Sequence, residues 1–342
     1  MKHRPHLHWT VLLGVFLVGL LLAACGGGPA TPPPTHLPTA TPTPRSTPLP
    51  PVPTAVPAGS EGNPLTILML PQGSRRAAVR AAGNLEDMIQ ELTGLVVDIQ
   101  TVNSYGEIVA QLCSPVPVAG WVDGLSYIVA EAQGCADPAL RVERDGNSGY
   151  RVDLLVSTDL ADGGDSEGDV SGIEIAALDG EPFCRLNSED TVSWLVPGLM
   201  LYAGGVNPLY DLGEIVDVQD FDALITAIYQ GDCMAGAVPH NYYPNEISPE
   251  MEALEDLSTR IGVLQTSPEI PYDTLVFSRT LPLNVRIPLA DVFMQIAADE
   301  DNAATLATIL RQDALERVDA EDFADFRAFM NATGLDFAAL GE

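Results

Sequence analysis

One histidine limits most of the chemistry open to this chain. Of five histidines in 342 residues, only His240 lies beyond residue 60, so a histidine-rich zinc site cannot be assembled in the body and a Ser–His–Asp relay would have to be built on that one imidazole. Past that point stand 13 arginines, no lysine and all 47 acidic residues, a formal charge of −34 that repels phosphate backbones and excludes a nucleic-acid partner. The groups left for a site are carboxylates, hydroxyls and aromatic rings. Asp190, Thr191 and Ser193 open an apolar run that also holds Trp194. Carboxylates and hydroxyls there cap a helix or present its free N–H groups to a ligand, and both roles stay open for Asp190. Ser74 stands between a strand and a helix, where it is either an N-cap or a cleft residue. Asp123 with Trp121, and His240 with Tyr242 and Tyr243, follow strands in the same way. Asp162, Asp165, Glu167 and Asp169 form an acidic loop without EF-hand spacing, which reads as solvated rather than as a calcium site. No metal and no cofactor is implied.

The elements that must position these residues alternate. Strands are predicted at 65–70, 95–101 and 118–122, with helices at 75–93, 105–112 and 124–133 between and after them. In the first helix Ala78, Ala82, Leu85, Met88, Ile89 and Leu92 share a face, and Gly94 is its stop. A strand at 150–157 leads to a second series: strands at 183–186, 215–218 and 235–238, and helices at 191–203 and 221–230. Strands at 261–265 and 274–278 and helices at 288–298, 303–313 and 320–333 complete the chain. Two βα series, with the chain leaving the first and returning to it, give an α/β protein of two hinged lobes.

The N-terminus carries an address. Lys2 and Arg4 precede sixteen uncharged residues, Trp9–Ala24, which are short for a membrane span but suit a signal peptide, 1–24. Leu22-Ala23-Ala24-Cys25 resembles a bacterial lipobox, so Cys25 is expected to carry lipid; an ordinary signal peptide is the alternative. Residues 25–62 read as a disordered tether: 12 of the 29 residues from Pro29 to Pro57 are proline, which favours extended polyproline II. At about 3.1 Å per residue that stretch reaches roughly 90 Å. An extracytoplasmic setting permits disulfides among Cys113, Cys135, Cys184 and Cys233; of three pairings, 113–135 and 184–233 keep each bridge inside one lobe.

Several stretches in fixed order resemble the periplasmic binding component of phosphonate-type ABC importers. They are Leu92-Thr93-Gly94-Leu95, Tyr105, Tyr127-Ile128-Val129-Ala130, Tyr150-Arg151-Val152-Asp153, Phe183-Cys184-Arg185, Trp194-Leu195-Val196-Pro197, Gly231 to Ala237 and Ser267 to Asp273. The resemblance spans about 63–293. It implies a type 2 periplasmic-binding-protein fold, each lobe a mainly parallel sheet flanked by helices, with two crossover strands, lobe 1 at 63–156 with 268–342 and lobe 2 at 157–267. It implies no catalysis, a phosphonate- or phosphate-like solute, an ABC permease as partner, and a monomer held to the membrane through Cys25. It places Tyr105 and Tyr127 at the cleft, although tyrosines packed under a sheet are equally core residues, and for Trp194 packing between lobes competes with ligand contact. In the family a turn rich in serine binds the oxyanion; here its positions are Asp190, Thr191, Val192 and Ser193, and only Thr191 is retained. Met234 stands where aminophosphonate binders have an aspartate. The expected site is therefore Ser74, Tyr105, Asp123, Tyr127, Asp190, Thr191, Ser193, Trp194, Met234 and His240, on a scaffold whose anion turn is altered. A sensor lipoprotein that signals to a membrane partner is the alternative function.

Overall fold

The computed structural model describes residues 56–161, 169–254 and 256–339. The signal peptide, Cys25, the proline-rich tether up to residue 55 and the acidic residues Asp162, Asp165 and Glu167 lie outside the described residues.

The chain begins as the apolar periodicity dictates. β1 (Leu65–Met69) is followed by α1 (Arg75–Thr93), which buries Ala78, Ala82, Leu85 and Ile89 and stops at Gly94 in the left-handed conformation. Leu92, expected on that buried face, is instead exposed in the last turn. β2 (Val97–Thr101), α2 (Tyr105–Leu112), β3 (Val118–Val122) and α3 (Gly124–Ala132) continue the alternation. β1 pairs in parallel with both β2 and β3. Residues 56–62, assigned by composition to the tether, are folded onto this lobe. Gly59 accepts the Val96 N–H and donates to Asn63, so proline content alone set the tether's end too late.

Next comes β4 (Ala136–Glu143), a strand the pattern does not announce because Pro138 interrupts it. Pro138 sits where the register with the neighbouring strand shifts, a position that tolerates a missing N–H. The chain then crosses through β5 (Gly149–Tyr150) into β6 (Val152–Ser157), β7 (Phe183–Arg185), α4 (Val196–Ala203), β8 (Ile215–Asp217), α5 (Phe221–Gln230), β9 (Ala235–Pro239) and β10 (Ile261–Thr266). It returns through β11 (Ile270–Pro271) to β12 (Thr274–Ser278), the helices Leu283–Ala298 and Ala303–Leu310, β13 (Ala314–Arg317) and the helix Ala324–Ala332.

The result is two sheets, ordered β13-β4-β12-β3-β1-β2 and β10-β6-β9-β7-β8, with β5 and β11 forming a two-stranded antiparallel ribbon on the crossovers. Parallel pairing holds for β2-β1-β3 and for β8-β7-β9. The strands on the crossover side, β4, β12 and β13 in one sheet and β6 and β10 in the other, pair antiparallel. The strands that receive the chain from a crossover, β6 and β12, enter their sheets from the cleft edge and run opposite to the βα strands. Cys113–Cys135 and Cys184–Cys233 are bridged, with Cα separations of 4.8 and 5.7 Å, each within one lobe. No helix among the described residues is long and apolar enough to cross a membrane.

Candidate functional site

The C-terminal ends of the parallel strands in both sheets, and the crossover ribbon, meet at one place. A cavity of about 220 Å³ is lined there by Gln72, Tyr105, Asp123 and Arg144 from the first lobe, Tyr150, Pro271, Tyr272 and Asp273 from the crossovers, and Thr191 from the second lobe. Hollows of about 530 and 500 Å³ beside α2 are larger, but they lie wholly within the first lobe and gather no such mixture.

Two glycines let these segments close up. A Cβ at Gly149 would come within 2.6 Å of the Ile270 carbonyl oxygen, and one at Gly124 within 2.8 Å of the Pro271 carbonyl oxygen. The ribbon can therefore press against the start of α3, which brings Tyr150 and Tyr272 into line with Asp123.

Within the cavity the polar groups form a chain. Gln72 Nε2 donates to the Tyr105 hydroxyl at 2.6 Å, and that hydroxyl donates to Asp273 Oδ1 at 2.6 Å. Arg144 Nη2 reaches Asp273 Oδ2 at 2.7 Å and the Leu310 carbonyl at 2.9 Å, while its Nε donates to the Arg311 carbonyl at 3.0 Å. Its guanidinium carbon lies 4.4 Å from the centre of the Tyr272 ring, which stacks on Tyr150 with centroids 5.5 Å apart. Asp273 is thus buried, 5% exposed, and compensated.

Asp123 is not compensated in this way. Oδ1 caps α3 by accepting the Ser126 N–H at 2.8 Å, and no ion pair reaches the carboxylate from the described residues. The residue keeps some accessible surface along the cavity, yet its carboxyl group is packed round with protein. Desolvation, opposed by the Ser126 bonds and assisted by the charge of Asp273, pushes its pKa from 3.8 up to about 6. Burial, with the charges of Asp273 and Asp123, holds the Tyr105 phenol well above the usual tyrosine range. Burial likewise raises Tyr150, aided by Asp123, Asp273, Tyr272 and Asp190 in turn.

The altered turn has a definite geometry. Asp190 Oδ1 accepts both the Ser193 N–H, at 2.6 Å, and the Ser193 hydroxyl, at 2.7 Å. Ser193 Oγ in turn accepts the Leu186 N–H at 2.9 Å, so this fully buried side chain is spent on structure. The helix expected over 191–203 begins with a π turn, Thr191–Leu195, in which the N–H groups of Trp194 and Leu195 share the Asp190 carbonyl. Thr191 alone of this turn lines the cavity.

The remaining expected site residues lie elsewhere. Tyr127 is fully buried against Phe323, its hydroxyl on Glu131 at 2.9 Å, and takes the core role. Trp194 packs against Phe183 beneath the Arg185 guanidinium, outside the cavity lining. Ser74 is exposed at the N-cap position of α1 and makes no capping bond with its side chain. Met234 precedes β9, whereas the cavity edge is at the other end of that strand. Six residues at about 3.3 Å each put it some 20 Å from His240. His240 is at the cleft edge of the second lobe, where Nδ1 lies 2.9 Å from Asp153 Oδ1, but it does not line the cavity. Asp153, 3% exposed, also accepts the Thr266 hydroxyl at 2.6 Å and ties the end of the first crossover to the start of the second.

Sequence reasoning missed Gln72, Arg144, Tyr150, Pro271, Tyr272 and Asp273. The signal available was topological: segments that cross between lobes must border the cleft, and both segments carry tyrosine. Among the described residues no cluster of three or more His, Cys, Asp or Glu side chains is arranged to hold a metal.

Residues 67–323 match the family model of the periplasmic substrate-binding protein of phosphonate ABC transporters. The chain belongs to that family. Its members are solute-binding transporter components that work with an ABC permease, not enzymes. No curated protein matches the sequence. Among solved structures, a protein from Xanthomonas citri bound to ATP is similar at 14% identity and a TM-score of 0.57, over 79% of this chain and 96% of that one. A binding protein component of an ABC phosphonate transporter from Pseudomonas aeruginosa is similar at 16% identity and a TM-score of 0.49, over 81% and 87%. At such identities the likeness to the Xanthomonas protein is one of fold.

Proposed function

We propose that this substrate-binding protein is a lipoprotein, held outside the cytoplasm by lipid on Cys25, that captures a small polar solute between its lobes. The first lobe carries β1 to β4, β12 and β13, the second carries β6 to β10, and the two crossovers join them. The observation that carries the reading is the composition of the 220 Å³ cavity: both lobes and both crossovers contribute to one volume, so a ligand there is enclosed when the lobes rotate about the ribbon. Closure presents a changed surface to an ABC permease, and the proline-rich tether gives a monomeric receptor the reach to dock. The turn that binds the oxyanion elsewhere in the family is capped here by the protein's own carboxylate, Asp190, which already takes the Ser193 donors. The solute is accordingly not recognised as a phosphonate at that turn.

The test is a thermal-shift screen of the full chain in detergent against phosphonates, phosphate, amines and neutral solutes, followed by small-angle scattering of any hit. A ligand at a hundred times its dissociation constant adds about 2.7 kcal/mol to stability. A stabilising solute that also reduces the radius of gyration supports the reading. Stabilisation with no compaction, or no stabilising solute in any class, overturns it.

A further inference from the structure

We propose that the inter-lobe cavity selects a small organic ammonium cation over an oxyanion; this rests on the reading of that cavity as the solute site.

The charges lining the cavity are two carboxylates, Asp123 and Asp273, and one guanidinium, Arg144. Arg144 is paired with Asp273 and spends Nε and Nη2 on that carboxylate and on the carbonyls of Leu310 and Arg311, so its positive charge is already balanced. Asp123 is held by Ser126 alone, through the backbone N–H and the side chain, and has no cationic partner among the described residues. Asp190 adds a further negative charge close enough to act on Tyr150. An oxyanion entering here meets net negative charge and finds the Ser193 donors of the turn already taken.

A second observation is independent of the carboxylates. Tyr150 and Tyr272 are stacked in the cavity lining, Tyr105 shares that lining, and the Tyr150 hydroxyl has no hydrogen-bond partner among the described residues. Ring faces beside an uncompensated carboxylate attract an ammonium group through both the π quadrupole and direct charge. The raised pKa of Asp123 is consistent with this: its charge is stranded in the ligand-free protein and is relieved by a cation. Thr191 and the Tyr150 hydroxyl remain to bind a hydroxyl on the ligand. A cavity of 220 Å³, below the roughly 300–1,000 Å³ of drug-sized sites, suits a molecule of a few heavy atoms.

The test is isothermal titration of the full chain in detergent with ethanolamine, choline and methylphosphonate. Binding of an ammonium probe and no heat with methylphosphonate supports the proposal, provided Asp123→Asn weakens the ammonium at least tenfold. Asn keeps the α3 cap, and circular dichroism checks the fold. Tyr150→Phe should retain most affinity and Tyr150→Leu lose it. Methylphosphonate binding without ammonium binding overturns the inference while leaving the solute-receptor reading intact. Ammonium binding that ignores both Asp123→Asn and Tyr150→Leu also overturns it. If none of the three probes binds, the inference falls and the broader screen alone decides the receptor reading.

Discussion

Replacing Asp123 by asparagine should make the ligand-free protein more stable, and more so the higher the pH. Folding moves this carboxyl from 3.8 to about 6, because it is buried without a cation. Between those values the native state binds more proton than the unfolded chain, so stability falls as pH rises through the window. Below about pH 3 the group is neutral in both states and costs nothing. Above about pH 6 it is charged in both, and the native state carries the full penalty. Two units at 1.36 kcal/mol each give about 3 kcal/mol as an upper figure. Asparagine accepts the Ser126 N–H less strongly than a carboxylate, which brings the expected gain down to about 1–3 kcal/mol. The assay is urea unfolding of wild type and variant at pH 4, 5, 6 and 7.5, followed by the buried Trp121 and Trp194, one in each lobe. The difference between the two proteins should be smallest at pH 4 and largest at pH 7.5. A control, Asp98→Asn on the exposed side of β2, should show no comparable gain. A difference that stays constant across pH, or a variant less stable at pH 7.5, would refute the reasoning. Together with the loss of ammonium binding, the result would mark Asp123 as a residue retained for function against stability.

Asp190→Ala should lower stability by about 1–2 kcal/mol in the same assay, because it strands the Ser193 N–H and the buried Ser193 hydroxyl, while Asp190→Asn should lose less. Replacing Cys184 and Cys233 by serine opens a 49-residue separation and should cost about 4 kcal/mol. The same change at Cys113 and Cys135, 22 residues apart, should cost about 3 kcal/mol, each read as a fall in the urea midpoint.

The alternation of strands and helices was open to reading from local pattern, since burial on one side of a sheet imposes a period on each segment by itself. α1 shows this in Ala78, Ala82, Leu85 and Ile89, and the exposure of Leu92 shows where it ends: whether the last turn of a helix meets a neighbour depends on what packs there. β4 was not legible, because Pro138 breaks the pattern and only the register shift against β12 makes the residue tolerable. The candidate site was legible in part. Tyr105, Asp123 and Thr191 follow strands of the parallel sets, where a βα turn points towards the cleft as a matter of chain geometry. Tyr127 differs from Tyr105 only in where its helix faces, and Met234 differs from His240 only in lying at the other end of one strand.

The sequence by itself determined the charge balance, the single body histidine, the even number of body cysteines and the family. These follow from residue identity and order alone, and they suffice to exclude nucleic-acid binding and a histidine-rich metal site. Tertiary structure alone decided which carboxylates are neutralised. Asp273 and Asp123 are alike as letters, but Arg144, distant in sequence from Asp273, arrives beside one and not the other. The tyrosines of the two crossovers became a stacked pair through the β5–β11 ribbon. Ion pairs and ring contacts of this kind depend on separations of a few ångströms between segments more than a hundred residues apart, which no local pattern encodes.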